Sequence, residues 1–218
     1  MTDLPSIAPA SDTKTRILDA TAAVLTQLPL SKVTMDDVAR AAGVARQTIY
    51  KYYASRDDLV VALLVDETNR THRPALVAMH RRARSAGQLT KMILEQLRLA
   101  TGWVLLGRTF DPGLAPRMVE LVLRSDALGR CVRALWVPIL ADYRDDGILR
   151  DDLDLDETVR WLTYQYVWLL SHPGALANDP DTLAHYIHTY LTSALVRRPA
   201  GPPPTTSAEL RRRGSRAE

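Results

Sequence analysis

Apolar residues recur at helical spacing along most of the chain, and we find no convincing alternation of the kind that marks a half-buried strand. The first apolar stripe runs from Ile17 to Leu28 and ends before Pro29. Later stripes follow Thr34 and Ser55, whose hydroxyl side chains suit the N-cap position of a helix. The pattern therefore predicts an all-α fold.

The segment 157–171 carries two apolar stripes on different faces of one predicted helix. A helix that is apolar on nearly all sides must be covered from two directions. The first stripe comprises Val159, Leu162, Thr163, Tyr166, Leu169 and Leu170, and the second comprises Trp161, Tyr164, Gln165 and Trp168. A final helix begins after Asp179-Pro180. Further upstream, Pro74 should kink or break the helix that starts at Ser55.

Charge gives little information about partners, although the isoelectric point is near 9.1. Residues 197–218 contain six Arg and two Glu, a net charge of +4, whereas the whole chain has +3. The basic character therefore belongs to the C-terminal tail. The single cysteine, Cys131, and the lack of any apolar run of membrane-spanning or signal-peptide length predict a cytoplasmic protein that does not insert into membranes.

Residues 35–49, MDDVARAAGVARQTI, have the spacing of a helix-turn-helix. Ala39 is small where two helices must cross closely. Gly43, four residues later, suits a turn that requires a positive φ. Val44 and Ile49 supply the apolar anchor of the second helix. Each feature alone is weak evidence, but the three together predict this motif.

The second helix of the motif presents a polar outward face. Winding it at about 100° per residue places Ala45 and Ile49 inward. Long hydrogen-bond donors on such a face suit the major groove, because Arg can bind guanine and Gln can bind adenine through two hydrogen bonds each. The outward arc comprises Arg46, Gln47, Tyr50 and Lys51, with Thr48 and Tyr52 at its edge. A polar helix face is commonly exposed only to solvent, but a cluster of exposed tyrosines favours a DNA-binding face. Among the tyrosines of this stretch, we assign only Tyr53 to packing.

The stretches RILDATAAVLTQ and VTMDDVARAAGVARQTIYKYYASRDDLVVALL resemble the N-terminal DNA-binding region of TetR-family (TetR/AcrR-type) bacterial transcriptional regulators, over about residues 14–64. The resemblance implies an all-α homodimer. It implies a three-helix helix-turn-helix domain at 11–54 after a lead of 1–10, and a larger helical ligand-binding and dimerisation domain at 55–197. We expect residues 198–218 to be a disordered basic tail.

The resemblance also implies specific DNA contacts. Carried over by position, Arg46, Gln47, Thr48 and Lys51 face the groove, whereas Thr34, Tyr50, Tyr52 and Arg56 hold phosphates. The family commonly has Phe-Pro-x-Lys where this chain has Tyr53-Ala54-Ser55-Arg56. Tyr53 must therefore place its hydroxyl group against a partner or in solvent.

In the family, the last two helices pair with those of a second copy as a four-helix bundle. A two-fold dimer of this kind would place two recognition helices about 34–36 Å apart, or a multiple of that distance, on a palindromic operator. We expect the interface to comprise Val159, Leu162, Tyr166, Leu169, Ile187, Tyr190 and Leu191. The sequence leaves open which stripe of the helix at 157–171 faces the partner.

A ligand cavity is expected among the central helices. All four tryptophans lie between residues 103 and 168, in segments with few charges, so an apolar or aromatic effector is favoured. The candidate lining residues are Met92, Trp103, Trp136, Tyr143, Trp161, Tyr164 and Trp168. Aromatic stripes at helical spacing are more commonly part of the core, and that alternative stays open.

The remaining candidates predict no catalytic or metal site. DDLDLDE at 151–157 resembles a metal cluster only in composition, and we expect an exposed loop with Asp156 as a helix cap. His185 and His188 have the spacing to share a metal but lack a partner ligand. We expect His72 and His80 at the surface and Cys131 in the core. No cofactor is implied.

The sequence thus predicts a DNA-binding regulator and not an enzyme. It favours a repressor that a small apolar or aromatic ligand releases from its operator. Two alternatives remain: a regulator without a small-molecule ligand, controlled by a protein partner, and a helical metal-dependent enzyme that uses the aspartates at 151–156.

Overall fold

The computed structural model describes residues 10–28, 31–102, 115–172 and 179–197 of the chain. Expectations for the lead, for Pro29, for Trp103 and for the tail at 198–218 concern residues outside these ranges. The all-α prediction is confirmed, since the described residues show no strand and only an isolated bridge between Leu149 and Val196.

The described residues form a series of consecutive helices along the chain. None of them is long and apolar enough to cross a membrane. The bounds are α1 Ala10–Gln27, α2 Met35–Ala42, α3 Arg46–Tyr52, α4 Arg56–Glu67, a first π-helical segment Thr68–His72, α5 Arg73–His80, α6 Ala86–Gly102, α7 Ala115–Arg124, α8 Asp126–Asp145, α9 Leu155–Ser171, α10 Pro180–Tyr186, a second π-helical segment Ile187–Thr192 and the single turn α11 Ser193–Leu195.

Local chemistry fixes both ends of α2. The Thr34 hydroxyl accepts a hydrogen bond from the Asp37 backbone N–H, and the Asp37 carboxylate accepts one from the Thr34 backbone N–H, which forms a capping box. Gly43 ends the helix with φ of 63°. This left-handed conformation strains any residue with a Cβ, so the glycine requirement predicted for the turn is confirmed.

The position of Ala45 differs from the expectation. Ala45 is the exposed N-cap residue of α3 and does not pack inward. The helix begins one residue later, at Arg46, and its apolar anchors are the half-buried Val44, which precedes the N-cap, and Ile49, which is fully buried. Tyr53 follows α3 and is buried, so its assignment to packing is confirmed, but its hydroxyl is buried without a hydrogen bond to the described residues, contrary to the expectation of a partner or solvent.

The helix that begins after Ser55 does not break at Pro74, because α4, the first π-helical segment and α5 follow one another without a gap, and the irregular turn precedes the proline. The Ser55 hydroxyl caps α4 by accepting from the Asp58 backbone N–H. At the other end, the N–H of Arg73 donates to the carbonyl of Thr68, five residues back. Pro74 has no N–H to donate, and the wider π turn accommodates the resulting loss of a helical hydrogen bond.

Two clusters of buried side chains form the core. The first joins α1 to α4 and includes Leu128 of α8. The second joins α5, α6, α8, α9 and the last helices. Helix α4, which we assigned to the second domain, contributes Leu59, Val60 and Leu63 to the first cluster. The domain boundary at residue 55 therefore stays a prediction.

Candidate nucleic-acid interface and central cavity

Helix α3 separates buried from exposed residues along its length. Ile49 is completely buried, whereas Tyr50, the next residue, is 42% exposed. Arg46, Gln47 and Lys51 are exposed with it. The structure thus brings long polar side chains together on one open face, although their contacts with DNA stay a prediction.

Arg46 is held by two neighbours on this face. Its guanidinium donates to Asp36 Oδ2 of α2 at 2.9 Å and to the Tyr50 hydroxyl at 3.3 Å. The guanidinium carbon also lies 5.5 Å from the centre of the Tyr50 ring, within the range of a cation–π contact. The Tyr50 hydrogen bond and the Asp36 charge raise the pKa of Arg46. The charge of Arg46 is therefore fixed and its side chain is oriented.

The residues expected to hold phosphates lie around this face and differ in their exposure and in the partners they already have. Tyr50 and Tyr52 are exposed, and their rings are available to solvent. Arg56 is half-buried beside Asp57 at 4.0 Å. Both donors of Thr34 serve the cap of α2, because its hydroxyl donates to Asp37 Oδ2 at 2.6 Å and its N–H donates to the same carboxylate. A phosphate contact through Thr34 would compete with that cap.

A central cavity of about 100 Å³ lies between the C-terminal half of α4, the first π-helical segment and helices α6 to α9. Aliphatic side chains form most of its wall. None of the described residues of the wall is Lys or Arg, and its carboxylate is that of Glu67. Its polar members are Glu67, Thr68, His72, Gln96, Thr163 and Tyr166, together with the indole N–H of Trp136.

Most polar groups of the wall are bonded within the protein. The Trp136 Nε1–H donates to Gln96 Oε1 at 2.6 Å, and the Tyr166 hydroxyl donates to the Gln96 carbonyl at 3.2 Å. The hydroxyls of Thr68 and Thr163 donate to backbone carbonyls one turn back, at 2.8 Å each. Burial raises the pKa of Tyr166, so its hydroxyl stays protonated.

His72 lies in this wall and not at the surface, which corrects the expectation from the sequence. Only 7% of its surface is exposed. Its Nε2 is buried and makes no hydrogen bond with the described residues. Burial lowers the pKa of His72, and the charge of Glu67 offsets this only in part, so the imidazole is held toward its neutral form.

The structure separates the residues that we expected to line a ligand site. Trp136 lies in the cavity wall. Met92 and Tyr143 are fully buried elsewhere in the second cluster, where the Tyr143 hydroxyl lies 3.7 Å from Met92 Sδ. Trp161 is half-buried, whereas Tyr164 and Trp168 face outward along a surface groove. The aromatic residues therefore do not form a single pocket.

The expected dimer interface stays a prediction, but the protomer itself covers most of the residues that we expected there. Val159, Ile187 and Leu191 are buried within the protomer. Leu162, Tyr166 and Leu169 line the central cavity. Of the expected interface residues, Tyr190 is the one that is largely exposed, at 61%. The exposed stripe of α9 carries Tyr164 and Trp168 instead, because the smaller aliphatic stripe packs against α6 and α8.

The acidic segment 151–157 is occupied by structural pairings. Asp154, and not Asp156, caps α9 by accepting from the Glu157 backbone N–H at 2.8 Å. Asp156 pairs with Arg133 at 2.7 Å, and Asp152 pairs with Arg150 at 2.6 Å. Asp151 forms an ion pair with Arg197. Among the described residues, no group of three or more His, Cys, Asp or Glu side chains has a metal-binding arrangement.

The other singled-out residues have structural partners. His80 is not a free surface residue: its Nε2 lies 2.7 Å from Asp142 Oδ2, and its side chain is mostly covered. His188 Nδ1 lies 3.2 Å from the Thr90 hydroxyl, and His185 Nε2 lies near the Thr189 hydroxyl. Cys131 is buried, as expected.

Comparisons with known proteins agree with this architecture. Residues 17–63 match the family described as bacterial regulatory proteins, tetR family. An uncharacterized HTH-type transcriptional regulator of Mycobacterium tuberculosis (Rv1255c) is 29% identical over 192 residues, covering 87% of this chain and 91% of its own length.

Two solved structures share the fold at lower sequence identity. AlkX of a Dietzia species, a TetR-family repressor implicated in n-alkane biodegradation, is 22% identical with a TM-score of 0.63, over 86% of this chain and 95% of its own. FadR of Bacillus subtilis in complex with stearoyl-CoA is 18% identical with a TM-score of 0.53, over 78% and 92% of the two chains. Residues 17–63 thus match the tetR family, and the helix-turn-helix with its helical C-terminal region makes the chain similar to TetR-family bacterial transcriptional regulators.

Proposed function

We propose that this regulator is a cytoplasmic homodimeric repressor that binds a palindromic operator through α3 and is released by a small apolar or aromatic ligand. The observation that carries the DNA-binding part is the division of α3, with Ile49 buried and Arg46, Gln47, Tyr50 and Lys51 on the open side. Such a face supplies donors for base edges and phosphates together.

Selection of bound duplexes from a random pool tests the operator directly. We expect enrichment of an inverted repeat whose half-sites are separated by about one helical turn of DNA or a multiple of it. Fluorescence anisotropy of the enriched duplex and of a shuffled duplex then gives the specificity ratio. Recovery of no preferred sequence at physiological salt would contradict the proposal.

The proposed dimer uses the exposed aromatic stripe of α9 and the last helix. Tyr164 and Trp168 are 48% and 43% exposed, and Tyr190 projects from the second π-helical segment. Large aromatic residues are enriched in the buried centres of protein interfaces. A two-fold axis beside α9 would bury these rings of both copies and fix the distance between the two α3 helices.

Helix α4 supports the proposed ligand response. Its first half packs in the cluster that carries α3, and its C-terminal Leu64 and Glu67 line the cavity. A ligand that binds more tightly to one arrangement of α4 shifts the protein toward it, by a coupling free energy of about 1–3 kcal/mol. FadR, a transcriptional regulator of the same fold, is complexed with stearoyl-CoA, which shows that the fold can bind a small molecule.

The size of the cavity supports a second candidate, a regulator that answers to a protein partner. The volume of about 100 Å³ lies below the roughly 300–1,000 Å³ of sites for drug-sized ligands. The two candidates differ in one measurement. If a small apolar compound lowers operator affinity at saturating concentration, the ligand response is supported; if none does while a protein from the same cell does, the second candidate holds.

A further inference from the structure

We infer that the central cavity takes a single-ring molecule that carries one hydroxyl group and no ionised acid, and that this hydroxyl forms a hydrogen bond with His72 Nε2. The inference rests on the proposed ligand response and specifies the chemical class of its ligand. Size, hydrogen bonding and charge each restrict that class.

The size of the cavity restricts the ligand to about one ring. An engineered apolar cavity of about 150 Å³ in another protein stays dry and binds benzene. The cavity here is about 100 Å³, with a wall of leucine, valine and isoleucine side chains around the Trp136 indole. A benzene-sized ring therefore fits with small side-chain adjustments, whereas a long acyl chain would require the helices to separate.

Hydrogen bonding favours a ligand with a polar group opposite His72. The hydroxyl and indole donors of Trp136, Tyr166 and Thr68 are already bonded to protein oxygens. His72 differs, because its buried Nε2 makes no hydrogen bond with the described residues. A buried polar atom without a partner costs free energy, and a ligand that supplies one recovers it. A hydroxyl both donates and accepts, so it pairs with either tautomer of the imidazole.

Charge excludes ligands with an ionised acid. The described wall has the Glu67 carboxylate and no Lys or Arg. A carboxylate or phosphate in this space would be desolvated beside a like charge, which is strongly unfavourable. A neutral hydroxyl avoids this cost. The recognition chemistry thus differs from that of a carboxylate or phosphate ligand.

Titration calorimetry of the full-length protein with four probes tests the inference. The probes are phenol, toluene, benzoate and benzylamine, which share one ring and differ in their polar group. We expect phenol to bind about five- to tenfold more tightly than toluene, the ratio expected of one hydrogen bond. Benzoate should show no binding at the same concentrations. Tighter binding of benzoate or benzylamine than of phenol would overturn the inference.

Substitution of His72 identifies the partner of the hydroxyl group. His72→Phe keeps an aromatic ring but removes Nε2, so toluene should bind at least as well as before while the preference for phenol disappears. His185→Phe, at an exposed histidine on α10, is the matched control and should keep the preference. A preference that survives His72→Phe contradicts the assignment.

A measurement on the unaltered protein covers the case in which His72→Phe does not fold. Phenol should shift the ¹⁵N resonance of one imidazole, which His72→Gln assigns by its disappearance, and toluene should shift it less. Equal shifts with both probes would overturn the hydrogen bond. If phenol binds through His72 but leaves operator affinity unchanged, the proposed ligand response fails and this inference stands. If another compound releases the protein from DNA independently of His72, the ligand response stands and this inference fails.

Discussion

The carboxylate of Asp36 and the guanidinium of Arg46 form an ion pair at 2.9 Å that joins the first turn of α2 to the first residue of α3. Both side chains are more than half exposed, so solvent screens the pair and it adds little to stability. Its importance lies in orientation, because it positions on the open face of α3 the side chain that we expect to read a base.

Replacement of Arg46 tests the assignment of base readout. Arg46→Ala should weaken operator binding by about 1–3 kcal/mol, or roughly 5- to 150-fold, and relax the preference at one position of each half-site. Anisotropy titrations with the operator and with single-base variants measure both effects. Arg81→Ala, which removes another exposed arginine directly after α5, should change neither. Unchanged affinity and preference for Arg46→Ala would remove Arg46 from the interface.

Replacement of Asp36 separates orientation from charge. Asp36→Asn removes a negative charge beside the expected phosphate path, so affinity for all duplexes should rise by a few-fold at low salt. Because Arg46 is then less constrained, the ratio of operator to shuffled affinity should fall. Asp181→Asn in α10 controls for the change of net charge. A double-mutant cycle with Arg46→Ala gives the coupling, which should be about 1 kcal/mol or less.

Charge on the aromatic stripe of α9 should break the proposed dimer. Trp168→Glu places a carboxylate where two copies would meet, and light scattering after gel filtration should then show a monomer at micromolar concentration. Operator affinity should fall as well, because two half-sites are no longer bound together. Ala78→Glu, at an exposed residue of α5, adds the same charge and serves as the control. A Trp168→Glu protein that remains dimeric would move the interface elsewhere.

Burial of His72 makes stability depend on pH in a defined direction. Its pKa is lowered in the folded protein, so below about pH 6.5 the unfolded chain takes up a proton that the folded protein does not. Stability is therefore lost as the pH falls below that value, by at most about 1.4 kcal/mol per pH unit from this group. It levels off below the folded pKa.

Urea unfolding between pH 7.5 and 5 measures this dependence. The wild type should lose more stability on acidification than His72→Gln, which cannot take up the proton. The two curves should run parallel above pH 7. If the difference between them is independent of pH across the whole range, the pKa of His72 is not lowered by folding.

The helix-turn-helix could be predicted from the sequence because its determinants are local. The cap at Thr34, the positive φ at Gly43 and the burial of Ile49 depend on residues within a few positions of one another. The cavity wall could not be predicted in the same way. Leu64, Thr68, His72 and Leu76 are all buried at a constant spacing of four residues. On a regular helix such a series turns by about 40° per step, and the π-helical segment with its wider turn keeps it on the inner face.

Which stripe of α9 is buried could not be predicted from the local sequence, for a different reason. Both stripes are apolar and both have helical spacing, so composition does not distinguish the one that faces α6 and α8. The choice depends on the shapes of distant helices, which leave room for Val159 and Leu162 but place Trp168 outside.

The series of buried residues at 64, 68, 72 and 76 is a signal in the sequence that could have identified His72 as buried.

Helix α4 has 12 residues, or about 18 Å at 1.5 Å per residue, and it runs from the helix-turn-helix to the cavity. It can therefore act as a lever arm: a tilt of about 5° around its cavity end displaces the other end by about 1.5 Å. A displacement of that size separates a donor from its acceptor, because hydrogen bonds weaken steeply beyond about 3.2 Å. A ligand no larger than one ring could thus change DNA affinity without any rearrangement of the fold.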